Sequence, residues 1–140
     1  MYLIEPYKSI GILNLNMSTS EIEDILGNGN IKHSTYLPAI DIGNYINGIK
    51  IEYEKNLACY IGVLTSLTPV HLDFNFYDKS YLEVMQYFKR YQGNIYVEDE
   101  VSIVSDFLGI SAYFEDGIKE VSIFTRSYGV EPIKGLEIII

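Results

Sequence analysis

The sequence predicts an α+β fold: two tandem strand–helix–three-strand repeats that form a mainly antiparallel sheet, with helices packed on one face. Three observations carry this expectation. Two short segments have helix-cap signatures, alternating apolar runs are joined by turn dipeptides, and the two halves of the chain correspond at a nearly constant shift.

Ser18-Thr19-Ser20-Glu21 reads as a capping box, in which the Ser18 hydroxyl accepts from the Glu21 N–H and the Glu21 carboxylate reaches back. Met17 and Ile22 are placed to staple that end. Ile22, Ile25 and Leu26 form one apolar stripe, and Gly27 is the left-handed stop. At about two turns the helix needs tertiary packing to persist.

A second helix is expected from a cap at Asp78, with Tyr77 and Leu82 placed like Met17 and Ile22. Tyr81, Val84, Met85 and Phe88 recur at helical spacing, while Glu83, Gln86, Lys89 and Arg90 take the wet side. Gly93 closes it. A Met-and-aromatic stripe at this spacing belongs to a core.

The segments after the helices also correspond. Tyr45 to Glu54 resembles Asp106 to Glu115, with Gly48 falling on Gly109 at a shift of 61 residues. Each meets a turn, Lys55-Asn56 or Asp116-Gly117, and then a further strand, Leu57 to Thr65 or Ile118 to Thr125. Leu13 and Leu15 match Phe74 and Phe76 at the same shift, whereas the expected caps match at 60. Lys32 to Leu37 and Ile95 to Val104 supply the remaining strand of each half. The chain is therefore expected to be one domain, 1–140, with repeats near 8–66 and 70–128 and a C-terminal strand at 136–140. Only Ser66-Leu67-Thr68-Pro69 lies between the repeats, so they should share one sheet or one core.

Strand alternation predicts which side chains face the helices. Ile49, Ile51 and Tyr53 point one way, as do Ile110, Ala112 and Phe114. On the return strands Ala58, Tyr60 and Leu64 oppose Cys59, Ile61 and Val63, and Ser122, Phe124 and Arg126 oppose Val121 and Ile123. Each large side chain fully buried on the inner face contributes about 1.5–3 kcal/mol. The opposite face would carry Glu52, Tyr60, Tyr113, Phe124 and Arg126. Aromatics on a nominally wet face suit a contact surface, a second packing layer or ordinary cross-strand pairing.

Composition bounds the function classes. The chain has 140 residues, is 48% hydrophobic and contains thirteen Tyr, six Phe and no Trp. That apolar content suffices for a core without disulfides. Nineteen acids against ten bases give a net charge of −9. Such a surface repels phosphate backbones, so nucleic-acid binding is not expected, and it suits a basic protein partner. The single cysteine, Cys59, cannot form an internal disulfide. With no signal peptide and no apolar run of membrane-spanning length, a cytoplasmic protein without membrane attachment is expected.

The stretch Leu13 to Gly27, Leu-Asn-Leu-Asn-Met-Ser-Thr-Ser-Glu-Ile-Glu-Asp-Ile-Leu-Gly, resembles the Gly-Met-Thr/Ser-x-x-x-Val-x-x-Leu-Leu-Gly opening of small helix-plus-sheet modules. These include the SmpA/OmlA outer-membrane assembly lipoproteins and the β-lactamase inhibitor proteins, with Asn16 standing where Gly is usual. The inhibitor proteins are tandem repeats whose sheet face grips the target, which is what the resemblance implies here. Pro6-Tyr7-Lys8-Ser9-Ile10-Gly11, with Phe124-Thr125-Arg126-Ser127-Tyr128, is similar to a family of uncharacterised cytosolic bacterial proteins. Neither resemblance transfers a functional residue.

No motif carries chemistry. His33, His71 and Cys59 stand apart, without the paired spacing of metal ligands. There is no Gly-x-Ser-x-Gly elbow, and Cys59 reads as a small hydrophobe on the core side. Glu52 with Glu54, and Glu98 with Glu100, are carboxylate pairs on a solvated face. Gly27-Asn28-Gly29-Asn30 follows a helix instead of opening one, so it is no phosphate cradle. Neither a cofactor, a metal nor a catalytic residue is expected.

The leading expectation is a non-enzymatic protein-binding module, of inhibitor or immunity type, acting on a basic partner through Glu52, Tyr60, Tyr113, Phe124 and Arg126. The alternatives are a small-molecule-binding protein with a pocket between the repeats, and an enzyme using His71 with Tyr and Glu as acid–base groups. The apolar tail Leu136 to Ile140 should either pair within the sheet or build a homodimer seam.

Overall fold

A computed structural model describes residues 1–35, 39–98, 100–128 and 137–139 of the chain. The elements run β1 (Tyr2–Glu5), β2 (Ser9–Ile10), β3 (Leu13–Asn14), α1 (Thr19–Leu26), β4 (Asn30–His33), β5 (Ile40–Asn44), β6 (Lys50–Glu54) and β7 (Leu57–Leu64). They continue with β8 (Pro69–His71), β9 (Phe74–Asn75), α2 (Tyr81–Phe88), β10 (Ile95–Glu98), β11 (Ser102–Ser105), β12 (Ile110–Phe114), β13 (Ile118–Phe124) and β14 (Glu137–Ile139). The fold is α+β, mostly strand, with few and short helices.

Two sheets are built from these strands. Nine antiparallel strands lie in the order β14-β10-β11-β12-β13-β7-β6-β5-β4, and five form a mixed sheet in the order β3-β2-β1-β8-β9, with β1 and β8 parallel. The sequence predicts one strand each at Lys32–Leu37 and Ile95–Val104. Instead β4 and β5 form a hairpin, as do β10 and β11. Turn residues around Glu100, whose φ is +56°, break the second apolar run. Leu37 lies outside the described residues.

Both expected hairpin turns form. Lys55 and Asn56, between the paired Glu54 and Leu57, have φ of 52° and 66°, the positive values that a two-residue hairpin requires, and Asp116 and Gly117, at 55° and 108°, lie in the three-residue link between the paired Phe114 and Ile118. Helix α1 starts at the Ser18 box and stops at Gly27 as expected. Helix α2 does not start at Asp78, whose φ is +58°. Ser80 is the cap: its hydroxyl accepts from Glu83 N at 3.1 Å, and Glu83 Oε1 accepts from Ser80 N at 3.0 Å. The helix ends at Phe88, before the turn that contains Gly93.

The core lies between the inner face of the nine-stranded sheet and a layer drawn from both helices and the small sheet. Ile51, Ile61, Val63, Ile103, Ile110, Val121 and Ile123 share one buried cluster with Ile22, Val84 and Phe88, and with Ile10, Leu13 and Phe76. A β-bulge corrects the expected alternation. Glu52 pairs with Tyr60 but Tyr53 pairs with Ala58, so Cys59 is the extra residue, and Ala58 turns to the core instead. A second bulge leaves Lys119 unmatched between Tyr113↔Glu120 and Phe114↔Ile118.

The tail pairs within the sheet, where β14 lies antiparallel on β10 with Ile139 opposite Ile95 and Ile138 opposite Tyr96. Leu136 and Ile140 fall outside the described residues. No described helix is long and apolar enough to cross a membrane.

Candidate functional site

The outer face of the nine-stranded sheet divides into a covered part and an open part. Residues paired across antiparallel strands point to the same face, so the register lays out both. One rung runs Ile138, Tyr96, Val104, Ser111, Ser122 from β14 to β13. The next runs Glu98, Ser102, Tyr113, Glu120 and on to Leu64 of β7. Tyr113 is 42% exposed and Ile138 51%, and Glu98 is exposed, while Tyr96, Ser102 and Glu120 are half-buried. This part of the face presents aromatic and aliphatic groups among carboxylates.

The covered part lies over β13, β7 and β6. Residues 126–128 turn helically after β13 and carry Tyr128 back across the sheet. Its ring lies 5.4 Å from that of Tyr60 and 6.3 Å from that of Phe124, and its hydroxyl donates to Glu52 Oε1 at 2.8 Å. Lys50 Nζ stands 3.4 Å from Glu52 Oε2 and 5.0 Å above the Tyr60 ring. Tyr60 donates to Glu120 Oε1 at 2.7 Å, and Ser111 and Ser122 hydroxyls bond each other alongside. Burial, with the facing carboxylates, raises the phenol pKa of both Tyr60 and Tyr128 well above the ordinary value, so both stay protonated donors.

The five residues expected to make contacts are therefore not one surface. Tyr113 is exposed and Tyr60 half-buried, and Arg126 is exposed. Glu52 and Phe124 are buried, 5% and 3% exposed, beneath Tyr128, with Tyr7 packed edge-on to Phe124 at 6.0 Å. Alternation places side chains on a face but cannot reveal a later segment folding over it. Tyr96, Glu98, Glu120 and Ile138 complete the open part. Cross-strand register, which needs both hairpins and the tail placed, is the signal that finds them.

A cleft of about 470 Å³ opens beside the covered part, lined by residues that include Asn16, Glu54, Lys55, Leu57, Cys59 and Arg126. Arg126 lies with its guanidinium 3.9 Å from the centre of the Tyr7 ring, and the Tyr7 hydroxyl donates to the Asp106 carbonyl. Cys59 is buried at this cleft and its thiol donates to the Glu52 carbonyl at 3.3 Å. Burial first, then Glu52 and Glu54, push its pKa up to about 12, which keeps it a thiol at neutral pH.

His71 is buried and pairs through Nδ1 with the Tyr87 hydroxyl at 2.6 Å, and among the described residues no carboxylate hydrogen-bonds it. Tyr87 in turn meets the Tyr91 hydroxyl at 3.2 Å and stacks on Phe74 at 4.0 Å. Burial lowers the His71 pKa, so the imidazole is neutral at pH 7. Among the described residues, no group of three or more His, Cys, Asp or Glu is placed to hold a metal ion.

Comparison with protein-family models, with curated proteins and with solved structures gave no match for this chain.

Proposed function

We propose that this chain is a non-enzymatic protein-binding module, of inhibitor or immunity type, that offers the open part of its outer sheet face to a basic partner in the cytoplasm. The carrying observation is the exposed Tyr113, set between Ser102 and Glu120 on a rung that begins at Glu98, beside Tyr96 and Ile138. Tyrosine supplies apolar area with a polar tip at small entropic cost, and flanking carboxylates steer a cationic surface onto it. The net charge of −9 adds to that steering.

The reading includes an ancestral doubling of one unit. In its support, a short strand, a capped helix and four strands occur in sequence from β3 to β7 and again from β9 to β13. The sheet order runs outward from a central β7–β13 pair, and the bulges of the β6–β7 and β12–β13 hairpins fall at matching places. Gly48 and Gly109 are both left-handed, with φ of 74° and 63°. The caps now correspond at Ser18 and Ser80, a shift of 62 residues. The resemblance to β-lactamase inhibitor proteins points to the same use of a doubled sheet.

The test is capture from the native host on immobilised protein, wild type against a Tyr113→Ala/Glu98→Lys variant with matched thermal unfolding. A basic protein retained in stoichiometric amount by the wild type and lost by the variant is the expected result. Equal retention by both, or none by either, defeats the reading. A second reading, a small-molecule-binding protein with a pocket where the halves meet, is favoured by the cleft between the β6–β7 turn and residues 125–127.

A further inference from the structure

We infer that the cleft between the β6–β7 turn and residues 125–127 binds a small organic carboxylate, with Arg126 as its principal anchor. The inference rests on the second reading above and is independent of the first. Its volume, about 470 Å³, lies within the range of small-molecule sites.

The electrostatics of the cleft run against those of the chain. The protein carries nineteen acids and ten bases, yet the cleft is lined by two cations, Lys55 and Arg126, against one carboxylate, Glu54. The ion pairs among the described residues are Lys8–Glu5, His33–Asp41, Lys50–Glu52 and Lys119–Glu115. Lys55 and Arg126 take part in none of them. A guanidinium that finds no carboxylate among the described residues of so acidic a protein retains its capacity for an incoming one.

Arg126 is also held in place. Its guanidinium stacks 3.9 Å from the Tyr7 ring centre, and that ring is fixed by its bond to the Asp106 carbonyl and by its edge contact with Phe124. Arg126 stays exposed while it is stacked, and its planar N–H fork matches the two oxygens of a carboxylate. Restricting the side chain in advance also reduces the ordering cost of binding.

The remaining lining suits an organic body behind the charged head. Leu57 and the protonated thiol of Cys59 give apolar contact, while Asn16 adds a polar group to the lining. Asn16 is fixed in the left-handed region at φ 70° by its N–H bond to the Ala58 carbonyl at 2.7 Å. One excess positive charge favours a monoanion over a dianion, because Glu54 repels the second negative charge.

The experiment is a two-dimensional amide NMR titration of the full chain with acetate, benzoate, succinate and neutral benzamide. Saturable shifts confined to Asn16, Lys55, Leu57, Cys59 and 125–127 are expected with at least one monocarboxylate, and not with benzamide. Arg126→Gln, an exposed substitution, should weaken that affinity about tenfold or more, and Arg126→Lys should weaken it less. Benzamide binding as well as benzoate, with Arg126→Gln without effect, would overturn the carboxylate assignment while leaving a small-molecule cleft. No saturable response at these residues to any probe removes both.

Discussion

Gly62 lies opposite Ser122 on one side and Lys50 on the other, at the centre of the nine-stranded sheet. A Cβ placed there would overlap Glu120 Oε1 and sit 2.9 Å from its Cδ. The carboxylate thus fills the space that glycine leaves, and from there it accepts the Tyr60 hydroxyl at 2.7 Å. Gly62→Ala must displace the carboxylate and break that bond, and a hydrogen bond to a charged group contributes about 1.5–3 kcal/mol. Against this, alanine in a strand gains roughly 0.5–1 kcal/mol over glycine through the unfolded chain. The expected outcome is a net loss of about 1–2 kcal/mol, or several degrees in Tm. In a Glu120→Ala background only the Tyr60 ring, whose Cε1 lies 3.1 Å from the added Cβ, has to give, so the same substitution should cost clearly less and fall within about 1 kcal/mol of neutral. Urea unfolding of the four proteins, followed by circular dichroism, measures the coupling directly. An equal effect of Gly62→Ala in both backgrounds would refute the account of how Glu120 is seated.

Tyr128→Phe leaves the buried Glu52 with Lys50 as its side-chain partner among the described residues and should cost about 1.5–3 kcal/mol in urea unfolding; a variant as stable as wild type would show that Tyr128 does not hold this cover. His71 has its folded pKa lowered below 6.5, so the unfolded chain binds the extra proton. Its contribution to stability is therefore complete above about pH 6.5 and is lost as pH falls through the lowered value. Comparing Tm against pH for wild type and His71→Asn should show the wild type losing more stability below that pH, and parallel curves would contradict it. Removing residues 137–140 uncovers the β10 edge, and should lower Tm and raise light scattering; unchanged values of both would mean that β14 does not support the sheet.

Much of the local structure was legible in the sequence because its causes are local. A hydroxyl and a carboxylate three residues apart define the start of α1, and the same pattern at Ser80 and Glu83 defines α2, although Asp78 competes with it as a cap. Positive-φ dipeptides define the two hairpins, and period-two alternation puts Ile110, Ala112 and Phe114 inward. The bulge at Cys59 was not legible, since one unmatched residue depends on the partner strand. Nor was the hairpin within Ile95 to Val104, where Glu98-Asp99-Glu100 interrupts the apolar residues but no Gly or Pro marks a turn. Strand β5 has only Ile40 and Ile42 as large apolar positions, too short a pattern to stand out without β4 and β6 beside it.

By itself, the sequence determined an acidic α+β chain with two capped helices, antiparallel hairpins and an apolar strand at its tail. These follow from charge count, backbone preference and side-chain period, which act over a few residues. Tertiary structure alone decided that β7 and β13 join the halves, that β14 lies on β10, and that Tyr128 covers Glu52 and Phe124 while Tyr113 stays open. Those outcomes depend on segments far apart in the chain meeting in three dimensions, which no local pattern encodes.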